Sequence, residues 1–163
     1  MDKLKYFFMR NKSIILDRIK KNSDYKDEID RLWDLKKLEI STGTVRNWDF
    51  VKHRILDSPD NMVAYLIKKE KETVGYLALF FKERVCYVID FLIIDKFMNM
   101  DIINELKKIC IKKDISIINI MTNDKWMIEL LRDFNLANKL NYVLISKDKI
   151  EKVYLTYADS DSF

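Results

Sequence analysis

The chain has 163 residues, 48% of them hydrophobic and 12% aromatic, which is core material for one domain spanning residues 1–163 and argues against global disorder. Thirty basic residues against 26 acidic ones leave a net charge of +4, but the two signs are interleaved, so the charge reads as a solvated surface and nucleic acid is not an expected partner. Two glycines, one proline, one histidine and two cysteines exclude more: no glycine-lined backbone cradle, no zinc cluster, no metal site, and turns that must rely on Asn, Asp and Lys.

Residues 2–21 give an amphipathic helical pattern with Leu4, Phe7, Phe8, Ile15 and Ile19 on one face. Arg10, Asn11 and Lys12 interrupt its apolar stretches, so a signal peptide or membrane span is not expected and the cytoplasm is the default location. Asn22-Ser23-Asp24 is a turn and capping cluster, followed by a helix from about Tyr25 to Glu39 whose stripe is Ile29, Leu32, Trp33, Leu35 and Leu38. A short helix from Trp48 to Leu56 stops before Ser58-Pro59-Asp60. The period then changes. Strands are expected over Met62–Lys68, Thr73–Lys82 and Val85–Ile94, consecutive in sequence and therefore paired as a meander. A helix capped by Asp101 runs to Lys112, with Ile102, Ile103, Leu106 and Ile109 inward and Cys110 near its end as a small core residue, like Cys86. A strand at Ile115–Met121, a helix from Thr122 or Asn123 to Phe134, strands at Lys139–Lys147 and Lys152–Tyr157, and a tail of residues 158–163 complete the chain.

The order is α+β: N-terminal helices, an antiparallel meander, then β-α-β-α-β-β counted from the third strand, in a mixed central sheet flanked by helices. Six short motifs stand along it: Arg31-Leu32-Trp33; Arg46 to Arg54 led by Asn47-Trp48; Pro59 with Tyr65; Val74-Gly75-Tyr76; Val88-Ile89-Asp90-Phe91-Leu92; and Thr156-Tyr157-Ala158-Asp159-Ser160-Asp161. With this element order they resemble the GNAT acyltransferases, in particular a branch associated with surface-polysaccharide and cell-envelope biosynthesis. The resemblance covers roughly residues 25–163.

It implies acetyl-coenzyme A as cofactor, an amine on a small molecule such as an amino sugar as acceptor, and a wedge beside the central strand. The cofactor contacts it implies are Phe91, Leu92 and Ile93, then Lys96, Asn99 and Asn123. Two departures weaken the cofactor motif. Between central strand and helix the family carries a glycine-bearing loop, because its backbone must approach a pyrophosphate. Here the segment is Asp95-Lys96-Phe97-Met98-Asn99-Met100-Asp101, with no glycine and two carboxylates. In the next helix Leu130 or Leu131 stands where the family's tyrosine acid is expected.

Each candidate residue has a structural reading beside its functional one. Asp90, in an apolar strand, needs a partner or a raised pKa; it is either a general base or one half of an ion pair with an arginine. His53 is a catalytic acid or base if Asp49 orients it, and otherwise faces solvent. Lys52 and Arg54 with Trp48 form an anionic-sugar or phosphate contact, or else a basic helix face with Trp48 anchored in the core. Tyr76 lines a cleft beside Gly75, which marks a bulge or a close backbone approach. Asp159 and Asp161 contact sugar hydroxyls or a cation, or belong to a solvated tail. The resulting functions are an acyl-CoA-dependent N-acyltransferase, a non-catalytic interaction protein on the same fold, and least of all a nucleic-acid binder. The family branch often carries a second half, so a homodimer is expected here.

Overall fold

A computed structural model describes residues 14–40, 43–94, 99–122, 127 and 156–159. Strand β1, Ile14–Arg18, is followed by helix α1, Lys26–Lys36, which ends in a 3-10 turn at Lys37–Glu39. Helix α2 starts as Trp48–Phe50 and widens into a π-helical turn at Val51–Leu56. Strands β2 (Val63–Lys69), β3 (Glu72–Lys82) and β4 (Val85–Ile93) precede helix α3 (Asn99–Lys112) and strand β5 (Ile117–Ile120). A last 3-10 turn lies at Tyr157–Asp159.

The five strands form one sheet in the order β1-β2-β3-β4-β5, antiparallel except for the parallel β4–β5 pair. β-branched and aromatic residues dominate β2 to β4, and two-residue turns join them, with Glu70 and Glu83 at φ 58° and 54°. Asn61 and Asp114 also take the left-handed conformation, so Asn and Asp serve as turn residues as expected, while glutamate rather than lysine fills the other two positions.

The sheet divides two cores. On one face Ile29 and Leu32 of α1 and Trp48, Val51 and Ile55 of α2 pack on Ala64, Leu66, Tyr76, Ala78, Ile89 and Leu92. On the other, Ile102, Leu106 and Cys110 of α3 pack on Ile67, Val74, Leu77, Leu79, Cys86, Val88, Phe91 and Ile93. Burying such a side chain stabilises by roughly 1.5–3 kcal/mol, so this alternation sets the register of each strand.

Helix α2 is held at its start by two side-chain oxygens, one from an amide and one from a carboxylate. Asn47 Oδ1 accepts from the Phe50 N–H at 3.1 Å, and Asp30 Oδ1 of α1 accepts from the Trp48 N–H at 2.7 Å. Burial pushes the Asp30 carboxyl up, but its hydrogen bonds from Lys26 and Trp48 hold it below the ordinary carboxylate value. α3 begins at Asn99, so Asp101 lies inside its first turn rather than capping it.

The main correction concerns the N-terminal helix: residues 14–18 are a strand. Ile14 and Leu16 alternate onto the α3 face and pair with Lys69 and Ile67 of β2, while Ile15 is 54% exposed. The Ile15–Ile19 spacing that suggested a helix loses to backbone pairing along the β2 edge, which satisfies more main-chain groups than a short charged helix would. The helix after Thr122 and the strand at 139–147 lie outside the described residues. Of the strand at 152–157, Thr156 forms an isolated antiparallel bridge to Thr122.

Candidate active site

β4 carries the site. Its pairing with β5 runs from Val85↔Ile117 to Val88↔Ile120 and stops, while β4 continues to Ile93. The chain leaving β5 bridges at Thr122 to Thr156 instead, so among the described residues a gap is left between β4 and β5 past Val88. On its other edge β4 stays bonded to β3, and the Ile94 N–H donates to Val74 O at 3.1 Å. That bond makes Ile93 and Gly75 a non-hydrogen-bonded pair, so Ile93 turns its own N–H and C=O toward the gap.

A bulge sits where the strands part. Ala78 faces Asp90 and Leu79 faces Val88, leaving Ile89 as an extra residue in β4. Cys86 and Val88 before it, and Phe91 and Ile93 after it, all face α3, although the two pairs differ in parity. The bulge absorbs the difference and turns both Ile89 and Asp90 to the α1–α2 face. A second irregularity at β2–β3 leaves Val74 unpaired and sets Gly75 against β4. A Cβ on Gly75 would stand 2.4 Å from the Leu92 carbonyl oxygen, so the backbones approach as closely as only glycine allows.

On the α1–α2 face Asp90 is fully buried beside an equally buried Arg46. Asp90 Oδ1 accepts from Arg46 Nε at 2.9 Å and from the Thr156 hydroxyl at 2.6 Å, and Oδ2 accepts from the Tyr76 hydroxyl. Arg46 comes from the loop between α1 and α2. Its Nη1 donates to Thr44 O at 3.0 Å, its Nη2 to Asp159 Oδ2 at 2.5 Å and to Thr156 Oγ1 at 3.1 Å, and its guanidinium lies 5.7 Å from the Phe50 ring centroid. The C-terminal turn closes the cluster through half a capping box: Asp159 Oδ2 also accepts from the Thr156 N–H at 2.8 Å. The Thr156 hydroxyl is spent on Asp90, which ties the turn to β4.

Burial alone lowers the Arg46 pKa, but the Asp90 and Asp159 carboxylates outweigh it and raise it above its ordinary value. For Asp90 the balance goes the other way. Its complete burial pushes the carboxyl up, against the pull of Arg46, Thr156 and Tyr76. With three donors already bound, Asp90 is placed as an anchor rather than as a base within reach of an amine.

The cluster unites three residues singled out from the sequence, Asp90, Tyr76 and Asp159, with two that were not, Arg46 and Thr156. Phe91, Leu92 and Ile93 line β4 beyond the end of β5 with buried side chains, and Asn99 opens α3. Trp48 is buried against Tyr25, ring centroids 6.1 Å apart, the core-anchor alternative. Lys52, His53 and Arg54 are exposed on the π-helical turn. The His53 Nδ1 is 3.5 Å from Asp57, one turn later, not paired to Asp49 one turn earlier. Lys96, Asn123 and Asp161 lie outside the described residues. Arg46 was quoted only as part of a motif, and the signal that finds it is indirect: a carboxylate inside an apolar strand demands a buried counter-charge.

A mixed sheet in which β4 runs past its parallel neighbour and precedes a helix is the arrangement of a GNAT-type fold. No protein-family model and no curated protein matches the chain. Solved structures do. An aminoglycoside acetyltransferase from an uncultured soil metagenomic sample, crystallised with sisomicin, superposes with a TM-score of 0.55 at 13% identity, over 83% of this chain and 96% of its own. An aminoglycoside N-acetyltransferase in complex with CoA gives 0.53 at 9% identity, over 85% and 97%. A GNAT-family acetyltransferase from Streptococcus pneumoniae gives 0.51 at 12%, over 83% and 99%. At these identities the likeness establishes the fold, which is that of the GNAT acetyltransferases.

Proposed function

We propose that the protein transfers an acyl group from acyl-coenzyme A to the amine of a small molecule, with amino sugars as the first acceptors to test. The observation that carries this reading is that, among the described residues, the parallel β4–β5 pairing ends at Val88 while β4 runs on to Ile93. An extended amide chain such as pantetheine pairs with a strand edge, and Ile93 offers it one N–H and one C=O. The start of α3 is the place for the phosphates, since the N–H groups of a 14-residue helix converge there. Lys96 supplies a point charge nearby in sequence. The bound cofactor would provide the thioester; the protein would align it along β4 and keep water out with the buried side chains of Phe91 and Leu92.

Asp101 supports a second reading. A carboxylate in the first turn of α3, after a segment without glycine, opposes a phosphate there, as in a GNAT-type fold kept for interaction alone. Titration with acetyl-CoA separates the two. Acyl transfer predicts a rise in melting temperature equivalent to about 2.7 kcal/mol at a hundredfold excess over the dissociation constant, and release of free thiol when an amine is added. An unchanged melting temperature at millimolar acetyl-CoA would sink the enzyme reading and leave the interaction protein.

A further inference from the structure

The chain has only two cysteines, and the fold brings them together inside one core. Cys86 lies in β4 with its side chain turned to α3, and Cys110 ends the buried stripe that Ile102 and Leu106 begin on that helix. Backbone contacts hold one above the other. The Cys110 carbonyl accepts from the Ile115 N–H at 2.9 Å, and the Ser116 N–H donates to Arg84 O at 2.9 Å, so the turn after α3 lands on the start of β4. Ile118 of β5 then pairs with Cys86 itself. Lys113 adds a third tie: its Nζ stands 4.9 Å from the ring centroid of Phe81, the β3 residue paired with Cys86. The two thiols are hydrogen-bonded to each other, and Tyr65 of β2 lies close enough to feel both.

Packing alone would accept a small apolar residue at either position, but two sulfurs in contact have a chemistry that neither has by itself. We propose that Cys86 and Cys110 are a redox-modification site, closing to a reversible disulfide when a peroxide reaches this core. Cys110 is 3% exposed and Cys86 0%, so Cys110 meets the oxidant first. The hydrogen bond it accepts from Cys86 holds the Cys110 thiol below its ordinary value, against burial, and favours the nucleophilic thiolate. Cys86 donates that bond, is buried as well, and is pushed up, so it keeps its proton until the second step. The Cys110 sulfur attacks one peroxide oxygen. An S–O bond forms, the O–O bond breaks, and hydroxide leaves to become water with the proton that Cys110 released. The Cys86 sulfur then attacks the sulfenic sulfur of Cys110. An S–S bond forms, the S–O bond breaks, and the departing hydroxide takes the Cys86 proton as a second water. Two thiols thus give two electrons to one peroxide. The bond pins the last turn of α3 to the start of β4, and a thiol reductant restores both cysteines.

The site stands apart from the acyl-transfer reading and is tested without donor or acceptor. Hydrogen peroxide is added to the folded, unmodified protein, then quenched. Titration of the denatured product with dithiobis(nitrobenzoate) should fall from two thiols to none. A non-reduced digest should contain a peptide linking Cys86 to Cys110, about 2 Da lighter than its two thiol halves, and dithiothreitol should reverse both changes. The melting temperature of the oxidised protein should rise, because the crosslink restricts the unfolded chain. Cys86→Ser leaves Cys110 without a resolving thiol, so its sulfenic acid should be trapped by dimedone, whereas Cys110→Ser should leave Cys86 unmodified at the same dose. Two thiols still titratable, sulfinic or sulfonic acid in place of the linked peptide, or linkage only after urea has unfolded the chain would each overturn the proposal. All three are read on the unmodified chain, so a variant that fails to fold does not shelter it. A lower melting temperature after oxidation would overturn it as well, by showing that the native geometry does not fit the bond.

Discussion

Arg46 and Asp90 show how one residue can decide the local protonation state. Neither side chain has any solvent exposure, so each depends on the other for its charge. Replacing Arg46 by methionine keeps the volume and strands Asp90 in an apolar setting, which costs about 3–5 kcal/mol for an unpaired buried charge. Asp90 already binds its proton more tightly in the folded state than its ordinary value of 3.8 implies, because of burial, and loss of Arg46 strengthens that. The folded state then holds more protons than the unfolded one above that ordinary value, so stability falls as pH rises through the folded pKa and is greatest below 3.8. Urea unfolding of Arg46→Met should therefore show a smaller loss at about pH 5 than at about pH 8. A loss independent of pH would mean that Asp90 does not take up a proton. Asp90 was legible in the sequence because a carboxylate among β-branched residues violates the pattern around it. Arg46 was not, since an arginine in a polar loop looks like any surface cation until the fold carries the loop under the sheet.

Strands tell a similar story one level up. β2, β3, β4 and α3 were legible because their apolar residues repeat at two or at three to four over long runs, and a buried face on each side enforces that repeat. β1 was misread because five residues flanked by lysines and an arginine carry no period long enough to outvote a helix, and only its partner β2 decides. The bulge at Ile89 was invisible for a different reason: every residue from Val88 to Ile93 is buried, so no alternation remains to reveal a slip. Gly75 signalled something else, the close approach of β3 to β4, as a glycine inside a strand. Its Cβ position collides with the Leu92 carbonyl, a backbone atom that cannot step aside, so Gly75→Ala must push β3 and β4 apart. We expect a loss of about 1–3 kcal/mol, as for overpacking. The displaced strand is the one facing the gap, so the acetyl-CoA binding proposed there should weaken with it. A variant as stable as the original would show that the two backbones do not approach this closely in solution.

At the scale of the whole molecule the sheet is a partition. α1 and α2 cover one face with the Arg46 cluster, and α3 covers the other, so the Arg46 cluster and the α3 helix draw on different cores. Two conservative truncations measure how well the partition insulates. Ile55 of α2 and Ile102 of α3 are 0% and 2% exposed and belong to opposite cores. Each change to valine removes one buried methylene and should cost about 0.5–1.5 kcal/mol. Because the two residues lie in different cores, the two losses should add to within about 0.5 kcal/mol in the double variant, read from urea midpoints at constant slope. Coupling well beyond that would mean that a shift in one core reaches the other through the strands. β4 contributes Ile89 and Leu92 to one core and Phe91 and Ile93 to the other, and β3 contributes Tyr76 and Ala78 to one and Leu77 and Leu79 to the other, so such coupling would run through these two strands.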